Sequence, residues 1–186
     1  MSVQLEHRIF NVDEYQRMLE AGILSEDDHV ELIDGEIIKM SPIGSRHVAC
    51  VNRLNATLNR KIGEQVIVSV QNPFRLDNYS EPEPDIALLK PREDFYAQSL
   101  PTPADVLLII EVADASVNLD RRVKLPLYAR AGIPEVWLVN LPEDRVESHS
   151  EPVNGAYQSI RMARRGEAVS SESIRPLILN TDDILG

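Results

Sequence analysis

Apolar side chains at Val48, Val51, Leu54, Leu58 and Ile62 recur at spacings of three and four, which lines them along one face of an α-helix closed by Gly63. That stripe predicts a helix lying on a sheet. The runs PDIALLK and DVLLIIEVAD are almost wholly apolar in their middles, the pattern of central strands covered on both faces, and QVIVSVQNPFRL and EVWLVN read as further strands. Near the start, Asn11 with Glu14 three residues later forms a capping box for a short helix that ends near Gly22. Two β-prone runs then flank Asp34-Gly35, a strong two-residue hairpin signal.

After Asn118 as N-cap, LDRRVKLPLYARAG sets Val123, Leu127 and Ala131 on one line and stops at Gly132. Pro126 sits inside that helix, where it removes a backbone bond at a cost of roughly 3 kcal/mol, so a kink or an irregular first turn is expected. RVESHSE, YQSIRMAR and the final LIL run read as additional strands, with a helix as the alternative at the C-terminus. The order is helix, hairpin, helix, three strands, helix, strand and more strands. This predicts one α/β domain spanning residues 1–186, with a mixed central sheet flanked by helices.

Charge narrows the function classes. With 19 Lys and Arg against 30 Asp and Glu the chain carries a net charge of −11, which excludes a general phosphate-binding surface. The single cysteine, Cys50, allows no intramolecular disulfide. The longest apolar run, VLLIIEVA, is broken by Glu111 and too short to span a bilayer, so a cytoplasmic protein without a membrane partner is expected. No glycine-rich phosphate loop is present.

Glu111 is the least comfortable residue in the sequence, because a carboxylate in so apolar a strand is costly to bury unless it is paired or bound to a cation. Asp85 opens the neighbouring strand, after a segment whose Glu81 and Glu83 read as solvated, with one of them facing a metal as the lesser alternative. Two carboxylates on adjacent strands can hold Mg²⁺, which takes hard oxygen ligands and keeps several waters. A lysine beside them, such as Lys124, suits phosphodiester hydrolysis by stabilising charge on the phosphate or orienting water.

Together, ELIDGEIIKMSP, the S-x-H of SRHVA, the PD of EPEPDIALL, the EV of LLIIEVAD and the run DRRVKLPLYARAGIPEVWLVN resemble a large bacterial family of small restriction-endonuclease-like proteins within the PD-(D/E)xK nuclease superfamily. The resemblance runs from about Val12 to the last strands, and Asp120 to Val139 is its most specific block. It implies a restriction-endonuclease-like core and a metal-dependent endonuclease acting on nucleic acid, DNA for preference, as a homodimer. Mg²⁺ or Mn²⁺ would be ligated by Asp85 and Glu111. The superfamily lysine stands two residues after the second acid, where this chain has Ala113, and the resemblance implies that it has moved to Lys124 in the following helix.

Asp120, Lys124 and Tyr128 recur every four residues and share one helix stripe, so Asp120 and Tyr128 join Lys124 as candidates. The helix after Ser45 corresponds to the superfamily's first core helix, which makes His47 a candidate contact. Glu31 and Glu36 on the hairpin are further acids, with Glu31 favoured. Plainer readings stand beside these: Asp85 as turn punctuation, Glu111 as a surface position at a strand end, Lys124 as a helix lysine paired with Asp120, His47 as the partner of a nearby carboxylate, and Tyr128 as core packing. Trp137 reads as core. Arg121 and Arg122, and Arg161, Arg164 and Arg165, are the basic patches available for phosphate, with a solvated face the favoured reading of each. A second reading, from another class, is a nuclease-fold module that binds nucleic acid or a protein partner with weak or no catalysis. It draws on the net charge and the displaced lysine.

Overall fold

The computed structural model describes residues 7–186, leaving aside the side chain of Glu26. Helix α1 (Val12–Glu20) starts on the capping box read from the sequence: the Asn11 side chain accepts from the Glu14 N–H at 2.8 Å, and the Glu14 carboxylate accepts from the Asn11 N–H at 3.1 Å. Strands β1 (Val30–Ile33) and β2 (Glu36–Lys39) then pair around Asp34-Gly35, whose φ angles of 48° and 81° are those a two-residue hairpin turn demands.

Helix α2 (Ser45–Ile62) stops at Gly63 and buries Cys50, Val51, Leu54, Leu58 and Ile62. Val48, expected in that stripe, is 46% exposed. It lies in the first turn, before the helix reaches the packed interior, and Cys50 begins the buried stripe instead. Strand β3 (Ile67–Val70) is shorter than QVIVSVQNPFRL suggested, because Gln71 takes a positive φ of 49° that breaks the extended run.

Strands β4 (Ile86–Leu89) and β5 (Val106–Ala113) follow, and then a continuous helical stretch of three parts: α3 (Val117–Leu119), a π turn (Asp120–Lys124) and α4 (Leu125–Arg130). The helix therefore starts after Ser116 rather than at Asn118, and no side chain caps it. Pro126 explains the middle part. Its ring would press on the carbonyl one α-turn earlier, at Arg122, and it has no N–H to offer that carbonyl. The wider turn, in which the Leu125 N–H reaches back five residues to the Asp120 carbonyl, absorbs the misfit without ending the helix.

The chain closes with β6 (Glu135–Asn140), β7 (Arg145–Val153), β8 (Ala156–Arg164), β9 (Ala168–Ser170), β10 (Ile178–Asn180) and α5 (Thr181–Leu185), so the C-terminal end holds both a strand and a helix. Six strands form the central sheet in the order β3-β4-β5-β6-β7-β8, parallel only between β5 and β6. The sheet is mixed, as the alternation of elements predicted. β5 carries the core on both faces. Leu108, Ile110 and Val112 pack with Leu54 and Leu58 of α2, while Ile109 and Ala113 pack with Leu127 and Tyr128 of α4. Trp137 is fully buried on β6. No helix among the described residues is long and apolar enough to cross a membrane.

The helical stretch is tied to the sheet from below by Glu147 on β7, which takes Arg121 of the π turn at 2.6 Å and Arg145 at 2.9 Å. Burial alone would raise the Glu147 carboxyl, but its contacts with His149, Arg145 and Arg121 outweigh that and bring it down to about 2.

Two outcomes follow from this frame. Ile110→Ala, which empties a fully buried position between two layers, is expected to cost about 2–5 kcal/mol in urea denaturation. Because the folded Glu147 binds its proton more weakly than the unfolded chain does, its contribution is present above its ordinary value of 4.5 and is lost as pH falls toward about 2. Glu147→Gln should therefore flatten the loss of stability across that acid window, and an acid limb as steep as in the parent would contradict it.

Candidate active site

The register of the central sheet brings the first two acids together. β4 runs antiparallel to β5 with Ile86 opposite Ile110, so Asp85, one residue before β4, falls opposite Glu111. The Asp85 carboxylate accepts from the Val112 N–H at 2.8 Å, which holds its side chain against the end of β5. Strand alternation then points Glu111 into the layer occupied by α4 rather than α2, where the Tyr128 hydroxyl donates to Glu111 Oε1 at 2.6 Å.

Into the same layer the helical stretch delivers its polar stripe. Lys124 Nζ lies 3.3 Å from Glu111 Oε1 and 3.1 Å from Glu31 Oε2, and Asp120 accepts from the Ser116 hydroxyl at 2.7 Å. Relative exposures are 1% for Glu31, 4% for Glu111, 4% for Asp120 and 6% for Lys124, so this is a buried ionic cluster. Glu31 arrives from β1, outside the central sheet, and its Oε2 also accepts from the Glu83 N–H at 3.2 Å. Glu36, the other hairpin acid, is exposed and takes no part.

Burial pushes the Glu111 carboxyl up, against the downward pull of the Lys124 ammonium. Burial likewise disfavours charge on Lys124, but Glu111, Glu31 and Asp120 together outweigh it and hold the ammonium above its ordinary range. Desolvation also raises Asp120, and it raises Tyr128 well above an ordinary phenol, so Tyr128 remains a donor. The cluster has more carboxylate than cation to balance it, and Glu31 Oε1 is buried without a hydrogen-bond partner.

From the other side of the sheet, α2 brings His47, whose Nε2 lies 2.9 Å from Asp85 Oδ1 and 3.0 Å from Oδ2. That hydrogen bond, working against burial, raises the histidine above its ordinary value. Asp85, Glu111, Lys124, His47, Glu31 and Asp120 all line one pocket of about 650 Å³. Tyr128 stands behind it, fully buried.

One reading of the sequence is corrected here, and others are filled in. Glu81 and Glu83 are not solvated: Glu81 pairs with Leu32 of the hairpin and is buried, accepting from Gln16, while Glu83 lines the pocket. The hairpin lies across this segment and removes it from water. Burial accordingly raises both carboxyls. Of the five arginines named for phosphate, three are held by carboxylates, Arg121 by Glu147, Arg161 by Glu172 and Arg165 by Asp144 and Asp182. Arg122 and Arg164 are exposed, and none of the five lines the pocket. Asp114 and Gln71 were missed altogether. Asp114 follows β5 directly, so its place at the strand end was the available signal.

Among the described residues, no three His, Cys, Asp or Glu side chains are grouped so as to close on one ion. The arrangement suits a cation that takes two protein carboxylates and leaves its other positions to water or substrate oxygen, as Mg²⁺ does. The uncompensated carboxylate charge and the orphaned Glu31 oxygen fit such an ion.

A protein-family profile, Uma2, described as "Putative restriction endonuclease", matches residues 12–181. Among solved structures, a putative nuclease belonging to DUF820 from Anabaena variabilis ATCC 29413 superposes with a TM-score of 0.73 at 16% identity, covering 95% of this chain and 97% of that one. At that identity the likeness establishes the fold, a nuclease-like mixed α/β architecture. No curated protein matches the chain. With nearly its whole length matched, this chain belongs to the Uma2 family of putative restriction endonucleases.

Proposed function

We propose that the chain is a metal-dependent endonuclease that hydrolyses nucleic-acid phosphodiesters, DNA for preference, with Mg²⁺ or Mn²⁺ held by Asp85 and Glu111. One observation carries the reading. The position two residues after Glu111 is Ala113, yet Lys124 from the following helix reaches to 3.3 Å from the Glu111 carboxylate. The cationic head thus stands beside the second acid although its backbone origin differs.

A bound divalent cation supplies Lewis-acid polarisation of the phosphoryl oxygen and acidifies a coordinated water. The chain's own residues do the rest. The Lys124 ammonium, kept charged by Glu31 and Glu111, stabilises negative charge that grows on the phosphate during attack. Tyr128 fixes the rotamer of Glu111 by donating to Oε1, and His47 does the same for Asp85. Asp120 adds to the field that keeps Lys124 protonated. One such pocket suffices to nick a strand. A double-strand break needs two, which is the ground for expecting a homodimer.

With Mn²⁺ the purified protein should convert supercoiled plasmid to the nicked form. Asp85→Asn and Glu111→Gln should each lower the rate at least about 100-fold while far-UV circular dichroism stays unchanged, since each removes a charge on which the cation depends. Nicking that persists in both variants would sink this site. Lys124→Met should lower the rate by about 10²–10³-fold. It should also cost about 3–5 kcal/mol in urea denaturation, because Glu31 and Glu111 lose their buried counter-charge.

A further inference from the structure

The pocket is unlike a duplex-binding cleft in charge. Six of its lining residues are acids, Glu31, Glu83, Asp85, Glu111, Asp114 and Asp120, against two lysines, Lys39 and Lys124, and no arginine. Duplex DNA carries one charge per about 1.7 Å of axis and is held by many Lys and Arg contacts to phosphate. With a net charge of −11, and with Arg121, Arg161 and Arg165 paired to carboxylates, the chain is poorly matched to a duplex. The charges of one strand lie twice as far apart, about 3.4 Å, and ask for fewer cations.

Shape points the same way. A volume of about 650 Å³ falls in the range of sites that enclose a small ligand or a short piece of chain. Two segments contribute most of the lining, 39–44 leading into α2 and 114–116 leading into the helical stretch. They approach closely: a Cβ placed on Gly44 would lie 3.9 Å from Asp114 Oδ2. The groups that would act on a phosphate are nearly all buried. A rigid duplex, whose major groove alone is about 12 Å wide, does not fit an enclosure of that volume, whereas a short piece of one strand does.

The rim is also apolar where phosphate recognition has no use for it. Pro42 and Ile43 on one side and Ala115 on the other are exposed, Ile43 by 54%, with Met40 and Leu119 half-buried beside them. Unpaired bases present apolar faces that such a rim can cover, whereas a duplex keeps those faces stacked inside.

We propose that the substrate enters this pocket as a single unpaired strand, either single-stranded nucleic acid or a duplex that has opened locally, with bases against the Ile43 rim and one phosphate lowered toward Lys124. The inference rests on the nuclease reading of the same pocket, and its test separates the two. Fluorescence anisotropy with the full chain, in Ca²⁺ to hold off cleavage, would compare an oligonucleotide of about 12 nucleotides with the same strand in a blunt duplex. The single strand is expected to bind at least roughly tenfold tighter, and Ile43→Asp, at an exposed position, should remove about tenfold of that affinity.

Equal or tighter binding of the duplex, no detectable binding of either, or competition by a nucleoside monophosphate as strong as by the oligonucleotide would each overturn the inference. In Mn²⁺, cleavage of the blunt duplex as fast as the single strand would overturn it too while leaving the nuclease reading intact. A single-strand preference with neither substrate cut would support the inference and sink the nuclease reading instead.

Discussion

The buried ammonium of Lys124 is the point on which the site is organised. An unpaired lysine so deep in the protein would shed its proton, and unpaired carboxylates beside it would take one up. Each charge here persists because the others are present. Glu31 from the hairpin, Glu111 from the middle of the sheet and Asp120 from the π turn surround one cation. Such an arrangement is a poor source of stability compared with an apolar core of the same volume, so its presence points to use rather than to folding.

The rest of the architecture serves that placement. The parallel step from β5 to β6 requires a crossover, and the crossover is the helical stretch that bears Lys124. Within it, Pro126 opens a π turn from Asp120 to Lys124, and the residues at its two ends line the pocket. A feature that looks like a flaw in a helix thus lies where Asp120 and Lys124 reach the pocket. Arg121, on the same turn, is held by Glu147, so the turn is fastened at both ends of its width.

Much of this was legible before any coordinates. The capping box at Asn11, the Asp34-Gly35 hairpin and the apolar strands were written in local patterns, and they formed where those patterns lay. Glu111 stood out because an acid in an apolar strand contradicts its surroundings, and the structure gives it Tyr128 and Lys124 as partners. The four-residue spacing of Asp120, Lys124 and Tyr128 survived even though the turn between the first two is not α-helical. What escaped was non-local. Nothing in EPEP says that a hairpin fifty residues away will cover it, so Glu81 and Glu83 looked wet. His47 is both the partner of a carboxylate and part of the pocket, two readings that sequence had set against each other.

The hairpin that brings Glu31 is a separate two-stranded sheet, joined to the rest through Leu32 and Glu81 and through Arg130 and Asp34. It contributes no strand to the central sheet, so Glu31 reaches Lys124 from outside the scaffold that carries Asp85 and Glu111. The charged cluster is thus a clasp between two sheets, and whatever parts the hairpin from the central sheet also takes a carboxylate away from Lys124.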